Sequence, residues 1–338
     1  MDWAALAAWM DERGLGQGAI SDVLPLAGGT QNILFRFCRD GRPYVLRRPP
    51  ATPRPNSNET MRREARVLAS LAGSRVPHPN LIAACDDETI LGAAFYLMEP
   101  VEGFNATAGL PAPHSASASM RERMGFSMVE AIAAVGALDI VAVGLEGFGK
   151  PDNFLERQVE RWTAQLESYS SFAGWTGPSA IPGVEKVARW LEAHRPKSFS
   201  PGLIHGDYHL ANVMFRHDSG EVAAIVDWEL STIGDPLLDL GWLLATWPDD
   251  GCWIGGDKPI VPWDGFATPE QLASHYAVMS DRDLSSLEWY VVLACFKLGI
   301  ILEGTHARAC AGNASRATGD HLHAQTIQLF EQALRRIA

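Results

Sequence analysis

An α+β architecture in two unequal lobes is what this sequence predicts, on three observations. Short strand-like runs joined by glycine turns crowd the first hundred residues. Helical periodicity dominates the rest. One interruption, Leu203 to Val226, brings short apolar runs back within the helical part. The boundary is expected near residue 100, giving a β-sheet lobe over 1–100 and a mostly helical lobe over 101–338.

The elements follow in order. Trp3, Leu6 and Met10 share one side of a short opening helix that Gly14 ends, and no basic leader precedes it. Strand patterns at Val23–Leu26, Asn32–Phe37 and Pro43–Arg47, with a turn at Asp40-Gly41, predict an antiparallel meander. Met61, Ala65, Leu68 and Leu71 recur at helical spacing behind the potential caps Asn56, Ser57 and Asn58, and Gly73 stops that helix. Leu81–Ala84 and Ala94–Met98 supply two further strands. Gly109 to Ser119, rich in Pro, Ala and Ser, reads as a mobile loop. Helices are expected near 120–138, 153–170, 184–194, 236–247, 269–280 and 285–303. The stretch Trp289–Leu302 is apolar but short and carries Lys297, so it reads as a buried helix and not a membrane span.

A net charge of −12 argues against nucleic acid or an anionic membrane as the main partner, while a local cationic site still permits a nucleotide. Cys38, Cys85, Cys252, Cys295 and Cys310 are odd in number and form no CxxC pair. That is a poor disulfide or zinc framework, and a reducing cytoplasm is expected.

The densest chemistry lies in His205-Gly206-Asp207-Tyr208-His209-Leu210-Ala211-Asn212, followed by Ile225-Val226-Asp227-Trp228-Glu229. Phosphoryl transfer asks for metal ions on the phosphates, a carboxylate beside the acceptor hydroxyl and cations against developing charge. Asp207 fits the catalytic carboxylate. Asn212, through its amide oxygen, and Asp227, through a hard carboxylate oxygen, fit Mg²⁺ ligands. Any one of them alone is as readily a turn residue. In this order, with apolar flanks, they predict one edge of a short hairpin.

These segments resemble the catalytic and metal-binding loops of the aminoglycoside phosphotransferase (APH/choline kinase-like) family, which shares the protein-kinase-like fold. His205-Gly206-Asp207 stands where protein kinases carry His-Arg-Asp, and Asp227-Trp228-Glu229 where they carry Asp-Phe-Gly. Ser231 to Leu240 resembles the family's segment after the metal loop. The nearest subgroup is the one associated with acyl-CoA dehydrogenases. The resemblance implies ATP and Mg²⁺ as cofactors and a small-molecule hydroxyl as acceptor. It also implies a cation on the third strand. No lysine precedes Lys150, so Arg47 is the candidate for the α/β-phosphates, paired with Glu64. Gly29, Thr30, Gln31 and Asn32 are expected over the phosphates, and the backbone of Glu99 and Val101 against adenine. His205, Asp235 and Asp239 are expected as structural support of the catalytic loop. Asp235 reads as a helix N-cap with Pro236 at the first helical position.

The acceptor pocket is expected among 103–119, 153–175 and 247–266, with Trp247, Asp249, Asp250, Trp253, Trp263 and Asp264 as candidate linings. Such acids suit a cationic aminoglycoside; the dehydrogenase-associated subgroup implies a hydroxyacyl compound. A protein kinase is disfavoured, because no long activation loop and no Ala-Pro-Glu follow Asp227. A catalytically silent nucleotide-binding or scaffold protein is the alternative from another class.

Overall fold

The computed structural model describes residues 1–26, 32–50, 52, 55–248 and 259–338. Gly29, Thr30, Gln31, Asp249, Asp250, Cys252 and Trp253 therefore lie outside the described residues.

Helix α1 (Trp3–Asp11) is capped by Asp2, whose carboxylate accepts the Ala5 N–H at 2.9 Å. Strands β1 (Ser21–Leu26), β2 (Ile33–Arg39) and β3 (Arg42–Arg48) form the antiparallel meander. Helix α2 (Ser57–Leu71) follows, then β4 (Leu81–Cys85), a short α3 (Glu88–Leu91) that the sequence reading had not found, and β5 (Phe95–Met98). The sheet order is β1-β2-β3-β5-β4, so the last strand inserts beside β3 and sets Arg47 opposite Tyr96. One sheet face packs Phe37, Tyr44, Leu46, Phe95 and Leu97 against Leu6, Trp9 and Met10 of α1. The other faces α2, whose Met61, Leu68 and Leu71 join the core of the helical lobe. Arg63 extends that link, donating to the Phe148 and Ser231 carbonyls at 3.1 Å. None of the candidate caps Asn56, Ser57 and Asn58 caps α2 through its side chain. Asn58 instead accepts the Ala94 N–H at 3.1 Å, tying α2 to the sheet.

The helical lobe contains α4 (Ala112–Ala116), α5 (Ala118–Gly136), α6 (Glu156–Ser168) and α7 (Val184–Ala193). Four short strands interrupt it: β6 (Gly202–Ile204), β7 (Val213–Phe215), β8 (Val222–Ile225) and β9 (Thr232–Gly234). They pair antiparallel as β6–β9 and β7–β8. Helices α8 (Leu237–Thr246), α9 (Pro269–Met279), α10 (Leu287–Cys310) and α11 (Arg316–Arg336) complete the chain. Helix α10 is central and touches α6, α7, α8 and α11. No helix among the described residues is long and apolar enough to cross a membrane.

Three expectations are corrected. Residues 109–119 are not a loop throughout: α4 forms there, with His114 fully buried and bonded to the Ser219 carbonyl at 2.8 Å. Arg121, on the first turn of the adjoining α5, holds the His114 and Ser115 carbonyls, each at 2.8 Å, bonds that composition does not encode. Helix α8 begins one residue later than expected, with Pro236 at the N-cap. Asp235 still accepts the Leu237 N–H at 3.1 Å and also takes the Tyr290 hydroxyl. Finally, α10 runs on to Cys310, and α11 follows it. The buried stripe of α11 includes Gln325 and Thr326, which blurs its apolar period.

Candidate active site at the mouth between the lobes

Strand β6 ends at Ile204, and the next two amides find a buried acceptor. Asp239, on the first turn of α8, accepts His205 N–H at 2.6 Å and Gly206 N–H at 2.8 Å. The His205 ring locks the other side. Its Nε2 donates to the Val226 carbonyl at 2.9 Å, which leaves Nδ1 to accept the Asp207 N–H at 3.3 Å. Gly206 has φ +87°, and an added Cβ would sit 2.6 Å from the Leu230 carbonyl. The glycine in this loop is thus a steric requirement.

Asp207 projects from that frame, partly exposed. Its Oδ2 accepts from Asn212 Nδ2 at 3.0 Å, and its Oδ1 lies 3.3 Å from His209 Nε2. Burial alone would push this carboxyl up. The imidazoles of His209 and His205 and the ammonium of Lys297 outweigh it and hold the carboxyl well below its usual range. Asn212 also donates Nδ2 to the Asp207 carbonyl at 2.8 Å. Its nitrogen is spent on Asp207, so the oxygen is the end of the amide left to act as a ligand.

The β7–β8 pair carries Asn212 and Asp227 to the same end, and Val226 N–H donates to the Asn212 carbonyl at 2.9 Å. Asp227 has φ +67°, a left-handed conformation that turns the chain into the short helical turn Trp228–Leu230. Its Oδ1 accepts from Arg47 Nη2 at 2.5 Å. Arg47 reaches the other way to Glu64, Nε to Oε2 at 2.9 Å, and Tyr96 donates its hydroxyl to Glu64 at 2.8 Å. Burial pushes the Glu64 carboxyl up to about 7 against the pull of Arg47. The neighbouring carboxylates Glu64 and Asp227 keep the guanidinium firmly protonated despite its own burial. From the tip of the sheet, Asn32 Nδ2 meets Glu229 Oε2 at 3.3 Å.

The structure therefore brings Asp207, Asn212, Asp227, Arg47, Glu64 and Asn32 to one mouth, with His205 and Asp239 behind them. Glu99 and Val101 lie just past the end of β5. The Glu99 N–H bonds the Asn80 carbonyl at 2.9 Å, and its carboxylate meets Arg42 and Asn80. Two residues were missed as site members. Glu229 groups with Glu64 and Asp227, their carboxylate oxygens within 4.8 Å of one another; its signal was the second acid in Asp-Trp-Glu. Lys297 donates to the Gly206 carbonyl at 2.9 Å; a lone lysine in an apolar helix was its signal.

Other candidates separate from this mouth. Trp247 is core, its indole bonded to the Ala267 carbonyl at 2.9 Å, so it is not an open pocket wall. Asp264 meets Arg121 at 3.3 Å. Depressions of about 330 and 390 Å³ beside α5 and α9 are lined by none of the site residues. Glu303, His306 and His323 form a second cluster of potential ligands. The two imidazoles stack at 4.3 Å and 21°, and His323 Nδ1 meets Glu303 Oε2 at 2.7 Å.

A small antiparallel sheet over a helical lobe, with two aspartates and an asparagine at their junction, defines the protein-kinase-like class of fold. Residues 22–255 match the family described as phosphotransferase enzyme family (APH), and the chain belongs to it. A Ralstonia eutropha structure, provisionally described as an aminoglycoside phosphotransferase, is 30% identical with a TM-score of 0.79, covering 99% of this chain and 98% of that one. A thermostable mutant of aminoglycoside phosphotransferase APH(4)-Ia, solved with ADP and hygromycin B, shares the fold at 16% identity and a TM-score of 0.60, covering 95% and 98%. Acyl-CoA dehydrogenase family member 10 of Mus musculus is 30% identical over 92% of this chain, which spans 29% of that protein.

Proposed function

We propose that this phosphotransferase moves the γ-phosphoryl group of ATP to a hydroxyl of a small molecule. The observation that carries the reading is the Asp207–Asn212 pair facing Asp227 across the β7–β8 end. Asp207, kept ionised by its neighbours, accepts or orients the proton of the acceptor hydroxyl. Asn212 through its free amide oxygen, and Asp227 as a carboxylate, form an all-oxygen donor set that suits Mg²⁺. Bound there, Mg²⁺ would neutralise charge on the β- and γ-phosphates. Arg47, released from Asp227, binds the α/β-phosphates while Glu64 keeps its aim. His205 and Asp239 hold the loop rigid during transfer, and Asp235 anchors the start of α8. Gly29, Thr30, Gln31 and Asn32 cover the phosphates, and the backbone of Glu99 and Val101 receives adenine. Nucleotide binding thus belongs to the lobe 1–100, and the acceptor to 101–338.

For the acceptor we favour a hydroxyacyl compound. The acyl-CoA dehydrogenase naming of a relative that this chain matches over part of its length supports that choice. The free thiols Cys38, Cys85, Cys295 and Cys310 suit a cytoplasmic setting. The test is Mg²⁺-dependent ATP turnover over a panel of hydroxyacyl compounds and aminoglycosides, with D207A and D227A as controls. Phosphorylated product from the wild type alone is the expected result. Absence of nucleotide binding by calorimetry would sink the reading. Tight binding without turnover on any acceptor would favour the silent nucleotide-binding alternative.

A further inference from the structure

We infer that Lys297 is the positioning cation of the catalytic loop, clamping from α10 the peptide unit that presents Asp207. The inference rests on the phosphotransfer reading above. The Gly206 carbonyl and the Asp207 N–H belong to one rigid peptide plane. Lys297 Nζ holds the carbonyl end at 2.9 Å, and His205 Nδ1 holds the amide end at 3.3 Å. Asp239 fixes the preceding amide, Gly206 N–H, at 2.8 Å. With both ends of that plane tied, the direction in which the Asp207 side chain leaves the backbone is set by α8, α10 and the loop itself.

The surroundings of the ammonium are specific to a cation. It lies 4.3 Å from the centre of the Trp242 ring and 5.6 Å from that of Trp162, on α8 and α6. Most of α10 at this depth is apolar: Val292, Leu293, Phe296 and Ile300 are fully buried. Packing alone would be served by leucine or methionine, whereas a half-buried lysine in this apolar setting needs a partner that repays its lost hydration. The charged groups facing it are Asp207 in the loop, Asp239 on α8 and Arg161 on α6. Burial pushes the ammonium down to about 8; Asp207 and Asp239 oppose that and Arg161 adds to it. The clamp is therefore a charged donor at neutral pH and weakens as pH rises through that value.

The experiment compares wild type, K297M and K297R in the full chain by steady-state phosphate transfer across pH, and by hydrogen exchange of the 203–212 segment. K297M should lower kcat on the order of 10²-fold through misplacement of Asp207, with KM for ATP unchanged. K297R keeps a charged donor. It should recover most of that loss and shift the alkaline limb upward, because a guanidinium stays protonated where an amine does not. Exchange over 203–212 should quicken in K297M while the 287–296 stretch of α10 keeps its protection. Unchanged kcat and exchange in K297M would overturn the clamp. So would equal losses in both variants accompanied by lost protection of α10, which marks a packing role only. Should K297M fail to fold, an alkaline limb that stays at the wild-type pH in K297R overturns it. If the wild type transfers no phosphate, the phosphotransfer reading fails, and loop exchange in K297M alone decides for or against the clamp.

Discussion

Asp207 and Asn212 on the helical wall and Arg47 and Asn32 on the sheet wall face the same mouth, yet they are anchored by opposite means. The helical wall is tied from behind. Asp239, His205 and Lys297 use bonds set behind the loop, the Asp239 bond fully buried and the other two partly so. The sheet wall is tied across the mouth, by Arg47 to Asp227 and Asn32 to Glu229, contacts that lie where phosphates and metal are expected. On the proposed function, chemistry that demands fixed geometry would sit on the pre-organised side, and binding that demands opening and closing on the side whose bonds can be exchanged.

Substitutions can break or sharpen that contrast. The largest effect is expected from Asp239→Ala, which strips the acceptor from two buried amides. Stability measured by denaturant should fall by about 2–6 kcal/mol, and kcat should fall with it because the loop loses its anchor. A variant with normal kcat would show that the helical wall does not depend on this tie. Arg47→Met should follow, leaving the buried Glu64 carboxylate unpaired at about 3–5 kcal/mol. Here nucleotide affinity by calorimetry should fall more than kcat does, and adding Glu64→Gln should restore part of the stability. An R47M protein as stable as wild type would remove the ion pair from the account. The smallest effect is expected from Asn32→Ala. The lost bond to Glu229 is long and only partly buried, so stability should shift by less than about 1 kcal/mol, with KM for ATP moving modestly. A large stability loss there would contradict the exchangeable character of the sheet wall.

Titration offers a further check on the same contrast. The Lys297 ammonium is depressed from its usual range to about 8, so the native state binds this proton less tightly than the unfolded chain. Its contribution to stability should therefore rise between about pH 8 and the ordinary lysine range, while activity falls over the same window. The stability difference between wild type and K297M, followed through that window, measures it. A difference that is flat with pH would show that the ammonium is not depressed.

Much of this was legible in the sequence where the chemistry is local. Asp207 and Asn212 are five residues apart on one tight loop, and Asp227 ends the adjoining strand, so spacing alone brings them near each other. The pairing of Arg47 with Glu64 was readable because β3 and α2 are joined by a short connection and the family pattern names both positions. Residues 109–119 misled because their composition is that of a loop, while the bonds that fold them come from Arg121 on the following helix, α5, six and seven residues further along the chain. Helix α11 escaped because it meets α10 through Thr326 and Gly299 as well as through apolar side chains, the Thr326 hydroxyl bonding the Gly299 carbonyl at 3.0 Å.

By itself the sequence determined the two-lobed α+β class and which loop residues, Asp207, Asn212 and Asp227, come together, because periodicity and short-range spacing are properties of the chain. His205, Asp239 and the Arg47–Glu64 pair were expected from the family pattern, but tertiary structure alone decided the remaining partners. Lys297 meets Gly206 across ninety-one positions, Arg47 meets Asp227 across one hundred and eighty, and Asn32 meets Glu229 across one hundred and ninety-seven. Contacts over such separations depend on how strands and helices pack, and a desolvated charge reveals its partner only once the elements around it have closed.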